Sequence, residues 1–543
     1  MKSLFTPVLL AVTIVAHPAG AQLTRIGTRE IDAHLRFLSS DLLEGRAPAT
    51  RGGRLAAEYI ASQLESFGVE PGASGSYFQE VPIDVVRSSP STVSVTASVK
   101  ANANLRFTDD VVVWAGAPSP SSAAKGELVF VGYGAKAPEY RWDDFKGADL
   151  KGKILLVLVN DPPAPPSEPN LFGGKAMTYY GRWTYKYEEA ERQGAAGMLI
   201  VHTTDAAGYP WQVVVTSNST DHRLLPRDPK LPPPIAVRGW ITDPAATALL
   251  AQAGLNLADL RKQAESRDFK PIPTGITIDA HFENSVRRMK SENVVGVVRG
   301  SDPKLRNEYV AYSAHWDHLG IGPADARGDS IYNGASDNAS GVADILAIAR
   351  SAAQSAKPRR SQLFLFVTAE ESGLLGSQYY GEHPTVPVAN IVANLNVDGG
   401  NLLGRVRDLT VLGANKSSLG PSLAAMVRAD GMRITPEAHP ERGLFYRSDH
   451  FSLAKVGIPA VSIARGTDFI GRTKEWGLQQ DEDYTAHRYH QPSDEYKPDF
   501  DLSGAVQLAE IVERFGYSLA NSPAVPTWNA DAEFKALRDR QRR

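Results

Sequence analysis

The chain of 543 residues contains no cysteine. Disulfides, thiolate zinc sites, iron–sulfur clusters and cysteine nucleophiles are all excluded, and any transition-metal site has to be built from His, Asp and Glu. An excess of one charge is missing too. The 58 basic and 61 acidic residues leave a formal net charge of −3 with no basic tract, which argues against a nucleic-acid partner. No G-x-S-x-G elbow is present, so a serine hydrolase finds no support. Long apolar runs are absent beyond the N-terminus. There Lys2 precedes LLAVTIVA, and Ala19-Gly20-Ala21 offers a small-residue cleavage site. The run is short for a bilayer and is flanked by Pro7 and Pro18, so residues 1–21 read as a signal peptide with the mature chain starting at Gln22. No cysteine follows to carry a lipid. The expectation is a periplasmic or secreted protein with no membrane span in its mature chain.

What is present is enough chain for at least two globular domains. In residues 22–85 the stretches IDAHLRFLSSDLLEG and RLAAEYIASQLESFGVEPG place apolar residues at helical spacing, the second stopping at Gly68, with the charged loop EGRAPATRGG between them. Residues 86–285 read as a β-rich insert. STVSVTASVKA alternates, KGELVFVGYG, KGKILLVLVN and GMLIVH are strand candidates, and TYKYEEAERQGAAG is a helix ending at Gly194. GYGAKA and GADLKGKI imitate nucleotide-binding loops. The first lacks the strand–helix context, and the second has Ile154 where a hydroxyl is needed. From 286 to 543 strand and helix patterns alternate, which predicts an α/β fold with a mixed, mainly parallel sheet covered by helices on both faces.

Sites in such sheets lie beyond the carboxyl ends of strands. Between Tyr312 and Asp398 polar clusters follow apolar runs in succession: YSAHWDHLG, NGASDNASG, FVTAEESGLLGS and NVDGG. His315 and Asp317 are two apart, so in extended backbone they face one side, and Asp317 can accept from the imidazole nitrogen that does not bind metal. Asp337 opens an apolar helix, where a helix cap competes with a bridging carboxylate as its explanation. Glu370 and Glu371 are adjacent acids after a buried strand and gain nothing in folding; one could bind metal while the other takes a proton from water. Asp398 ends a strand that reads as buried, and a buried carboxylate needs a partner. His490, in RYHQPSDEY, supplies a second imidazole. His318 reads as a bystander.

HWDHLG, SDNASG, EESGLLGS, NVDGG and YHQPSDEY together resemble, in order and spacing, the co-catalytic di-zinc aminopeptidase family that includes bacterial leucyl aminopeptidases and glutamate carboxypeptidases. RSDHFSLAKVGIPA, residues 447–460, resembles its active-site loop and following strand. WDDFKGADLKGKILLVL with YKYEEAERQGAAGMLIVH is similar to the protease-associated domain inserted in several members. The resemblance implies a zinc-dependent exopeptidase fold and two Zn2+ per chain, one held by His315, Asp337 and Asp398 and the other by Asp337, Glu371 and His490. It further implies Glu370 as general base, Asp317 as the residue orienting His315, Tyr446 as a candidate oxyanion stabiliser, and a cis Asp337–Asn338 peptide. A peptide is the implied substrate and hydrolysis from the amino terminus the implied reaction. A carboxypeptidase or dipeptidase on the same scaffold, a glutaminyl cyclase, and a receptor-like binding protein are the competing readings. Homo-oligomerisation is left open.

Overall fold

A computed structural model of the chain describes residues 23–99, 102–218, 221–227 and 230–542. The segment read as a signal peptide, and Gln22 after it, lie outside the described residues.

The C-terminal half is built on strands in which every residue is buried. Tyr309–His315, Ser361–Val367 and Ile391–Asn396 show no polar-out alternation because both faces of their sheet are covered. Tyr309–His315 runs parallel to Ser361–Val367 on one side and to Ile391–Asn396 on the other, and Ile391–Asn396 runs parallel to Ala460–Arg465. Antiparallel neighbours flank this set: Ile272–Val298 against Ser361–Val367, and Asp408–Leu412 against Ala460–Arg465. The sheet is mixed, with a parallel centre, as expected for the α/β class. Alternate residues along each strand serve opposite faces. Val310, Tyr312, Ala314, Phe364 and Phe366 meet the helices Ser340–Gln354 and Ser503–Asn521. Tyr309, Ala311, Leu363 and Leu365 meet Tyr380 and Leu453 on the other face.

The N-terminal helices belong to the first of these cores. In Arg51–Phe67 the buried residues Ala56, Ala57, Ile60, Ala61 and Leu64 follow helical spacing. The helix starts where the Thr50 hydroxyl accepts from the Gly53 N–H at 3.1 Å, and it stops at Gly68, whose φ of 80° suits glycine.

The insert has its own sheet. Gly197–His202 runs parallel to Ile154–Leu158 and to Val237–Thr242, and the helix Trp183–Arg192 packs against it. Both sheets share one strand of 27 residues, Ile272–Val298. Its first part pairs with Ser121–Phe130 in the insert, and its second part pairs with Phe78–Ser88 from Asn284↔Ser88 to Val294↔Phe78. The boundary drawn between residues 285 and 286 therefore falls inside a continuous strand. The largely polar stretch ENSVRRMKSE stays extended because each residue has a ladder partner.

The insert is also fixed to the loop and short helix around residues 440–455. The Met177 N–H donates to the Pro440 carbonyl at 3.0 Å, Lys455 Nζ meets Glu188 Oε1 at 2.8 Å, and the Tyr179 ring packs on Phe451 with centroids 5.2 Å apart.

Candidate metal centre

Four of the expected site residues sit where the sheet presents them. His315 is the last residue of its strand, Asp398 lies just past Ile391–Asn396, and Glu370 and Glu371 lie just past Ser361–Val367. Asp337 precedes the helix Ser340–Gln354, and its peptide bond to Asn338 is cis. His490 follows the helix Lys474–His487 with a left-handed φ of 57°.

Asp337 is the hub of the cluster. Its Oδ1 lies 3.2 Å from His315 Nε2, which is also 3.2 Å from Asp398 Oδ1. Its Oδ2 lies 3.3 Å from His490 Nε2, which is 3.1 Å from Glu371 Oε2. Two donor sets thus share one carboxylate, with its two oxygens facing opposite ways. Donors about 2.1 Å from a tetrahedral Zn2+ stand roughly 3.4 Å from one another. The observed separations are close to that edge length. His490 Nε2 is buried and makes no hydrogen bond among the described residues, although two carboxylates are near. A nitrogen aimed between carboxylates points at a common centre. Imidazole and carboxylate donors without thiolate suit Zn2+, and the residues fit a pair of such ions.

The surroundings set the charges. Burial opposes ionisation of Asp337, yet His315 and His490 hold it well below the usual carboxylate range. Burial likewise opposes charge on Glu371, and repulsion from Asp337 adds to it, but the two imidazoles His318 and His490 bring it down to about 2. Glu370 goes the other way. Burial pushes it well above its ordinary value; His315 pulls against this, and Glu371, Asp398 and Asp449 add to it. Burial of Asp317 raises it to about 6. Adjacent glutamates pushed in opposite directions are a mark of divided roles.

The orienting contact of His315 differs in its atom from the expectation. Its Nδ1 lies 3.2 Å from the main-chain carbonyl of Asp317 and 3.8 Å from the Asp317 carboxylate. A carbonyl only accepts, so Nδ1 carries the proton and Nε2 is free to ligate. The Asp317 carboxylate instead accepts the Glu370 N–H at 3.1 Å and fixes the backbone of that glutamate. His318 is no bystander: its Nδ1 is 2.6 Å from Glu371 Oε1. His318→Ala should weaken the ion bound by Glu371 by about 10–100-fold, as loss of an outer partner typically does. Titration with a competing chelator measures this, and two unchanged affinities would remove His318 from the site.

Several supports carried no signal in the sequence. Arg46, in the charged loop before Arg51–Phe67, is 1% exposed. It donates to the carbonyls of Trp316 at 2.7 Å, Gly334 at 2.8 Å and Asp337 at 3.1 Å, so it braces the loops carrying His315 and Asp337. The Asn338 side chain donates to the Val397 carbonyl at 3.0 Å and accepts from the Gly399 N–H at 2.9 Å, which locks Asp337 to the Asp398 loop. Asp494 accepts from the Asp337 N–H at 3.1 Å and ties in the His490 loop. A composition of ordinary loop residues hides all three. Tyr446 is not brought to the carboxylates by its polar contacts. Its hydroxyl donates to Glu533 at 2.6 Å and accepts from Lys416 at 2.9 Å, beneath the insert.

Residues 293–515, which contain the whole donor set, match the model of peptidase family M28. That segment is similar to the M28 peptidases. Among curated proteins the chain is 28% identical over 377 residues to the "Probable glutamate carboxypeptidase" of Arabidopsis thaliana, covering 63% of this chain and 47% of that one. It is 29% identical over 254 residues to the "probable leucine aminopeptidase 2" of Aspergillus oryzae, covering 45% and 47%. The chain therefore spans about half the length of these curated relatives. Among solved structures, the aminopeptidase from Aneurinibacillus sp. strain AM-1 aligns with a TM-score of 0.48 at 21% identity, over 91% of this chain and 94% of that one. Beside the donor cluster a cavity of about 550 Å³ opens next to His490. It is lined by Leu319, Pro323 and Tyr332 on one side and by Thr216 of the insert helix Trp211–Asn218 on the other.

Proposed function

We propose that the chain is a metallo-exopeptidase of the aminopeptidase type that removes N-terminal residues from peptides. The observation that carries this is the Asp337 carboxylate, placed between the His315–Asp398 pair and the Glu371–His490 pair. His315, Asp337 and Asp398 would hold one zinc ion, and Asp337, Glu371 and His490 the other. Bound there, a zinc pair supplies Lewis acidity, which polarises a scissile carbonyl and acidifies water. Glu370 accepts the proton of the attacking water and returns it to the departing amine. Asp317 holds Glu370 through its backbone, and its carbonyl keeps His315 in the tautomer that leaves Nε2 free. Arg46, Asn338 and Asp494 keep the loops from separating. The insert, which we read as a protease-associated domain, walls the cleft through Thr216 and is anchored by Glu188 and Tyr179. These anchors describe a fixed wall.

Chelation should abolish hydrolysis of aminoacyl chromogenic substrates, and added Zn2+ should restore it. Free amino termini should be required. Faster cleavage of N-blocked peptides than of free ones would replace this reading with a carboxypeptidase.

A further inference from the structure

The insert and the segment after the helix Ser503–Asn521 both lie outside residues 293–515. The C-terminal stretch PTWNADAEFKALRDRQ is mostly polar, yet its two aromatic residues are buried, Trp528 at 4% exposure and Phe534 at 6%. They join one buried cluster with Tyr179 and Tyr185 of the insert and with Tyr446 and Phe451 of the loop and short helix around residues 440–455. Phe534 stands between the two bodies. Its ring centroid is 6.4 Å from that of Tyr179 and 6.2 Å from that of Phe451, and Trp528 backs it at 5.5 Å. Offset and edge-on rings at such distances attract one another beyond the area they bury.

Hydrogen bonds pin this segment to the peptidase strands. Trp528 Nε1 donates to the Gly457 carbonyl at 2.9 Å, and the Asn529 N–H donates to the Lys416 carbonyl at 2.9 Å. Arg538 donates to the carbonyl of Ile391 at 2.6 Å, the first residue of the strand that leads to Asp398. Between these points stands Glu533. Its side chain is 4% exposed, accepts the Tyr446 hydroxyl at 2.6 Å and lies 3.1 Å from Lys416 Nζ. Burial opposes its charge, but Lys416 and the Tyr446 hydroxyl hold it below its ordinary value. Charge-assisted bonds of this kind are the strong ones.

Packing continues from the cluster to the cleft. Tyr179 lies 5.1 Å from Tyr185 on the helix Trp183–Arg192. Tyr187 of that helix shares a core with Val214 of the helix Trp211–Asn218, which carries Thr216. On the peptidase side, Ser448 accepts from Asn396 Nδ2 at 3.0 Å, at the end of the strand before Asp398. Close-packed interiors transmit displacement, so the insert moves with Tyr179 as a body.

We propose that Glu533 and Phe534 are positioning residues for substrate binding: residues 528–541 strap the insert to the peptidase domain and so set where the Thr216 wall of the cavity beside His490 stands. The substrate part of this assignment rests on the peptidase reading of the metal centre. Glu533→Gln and Phe534→Ala test it in the zinc-loaded full chain. Hydrogen exchange should quicken in Trp183–Arg192 and Trp211–Asn218 and stay as in wild type in Tyr309–His315 and Ile391–Asn396. KM for an aminoacyl chromogenic substrate should rise about tenfold, the scale of ordering deferred to binding, with kcat and zinc content as in wild type. Phe534→Leu, which refills the space, should stay close to wild type. If one variant does not fold, the other decides. Exchange that is unchanged in the insert, or quickened alike throughout the protein, would overturn the proposal. Unchanged KM beside quickened insert exchange, or a loss confined to kcat or zinc content, would overturn it as well. Quickened exchange confined to the insert in a protein that cleaves no peptide supports the strap, and only the peptidase reading then fails.

Discussion

Glu370→Gln is expected to lower kcat by about 10²–10⁴-fold while both metal ions stay bound, which is the range for loss of a general base. The amide keeps the shape of the carboxylate and removes no assigned donor. Glu371→Gln should behave differently. Glu371 Oε2 faces His490 and its Oε1 faces His318, so its amide should weaken one ion and recover part of its activity in excess zinc. The two residues are adjacent, but their side chains do different things. Glu370 stands within the cluster, where donor atoms of His315, Glu370 and Glu371 lie within 4.8 Å of one another, yet it is not one of the carboxylates that pair with Asp337 through an imidazole. Metal content and turnover of the two purified variants decide the matter. If Glu370→Gln loses an ion and Glu371→Gln retains both, the roles are exchanged.

Asp337→Ala should have the larger effect: loss of both ions and of all measurable turnover, in a protein that stays folded. Asp337 is the carboxylate that reaches both imidazoles, His315 at 3.2 Å and His490 at 3.3 Å. Asp398→Ala removes a donor from the His315 side alone and should leave the Glu371–His490 ion bound. The fold should survive because Arg46, Asn338 and Asp494 grip this segment by its backbone and by the Asn338 amide, not by the Asp337 carboxylate. Elemental analysis after dialysis, with circular dichroism on the same samples, reads both effects. Two ions per chain in Asp337→Ala would show that the centres are independent.

His315, Asp337, Glu370, Glu371 and Asp398 stood out in the sequence because each closes an apolar strand or opens an apolar helix, whereas His490 sits in a loop with no such mark. His315 ends YVAYSAH, Glu370 and Glu371 follow SQLFLFV, and Asp398 follows IVANLN. Buried parallel strands write themselves as apolar runs, so a polar residue at their carboxyl end stands out. What holds the donors in place was not legible. Arg46 sits in a loop rich in charge and glycine, where a solvated arginine is the ordinary reading. Its burial depends on carbonyls nearly three hundred positions away, those of Gly334 and Asp337. His318 has no periodic neighbour to mark it; only the folded loop brings its ring to Glu371. The continuity of the strand Ile272–Val298 has no local mark, because its pairing with Phe78–Ser88 is a property of register that composition does not carry.

A pair of metal ions sharing one carboxylate can be seen directly. Anomalous diffraction at the zinc edge from crystals of the zinc-loaded protein tests it most directly. Two peaks are expected in each chain on opposite sides of the Asp337 carboxylate, one against His315 and Asp398 and the other against Glu371 and His490. A single peak, or two peaks of which neither contacts Asp337, would contradict it.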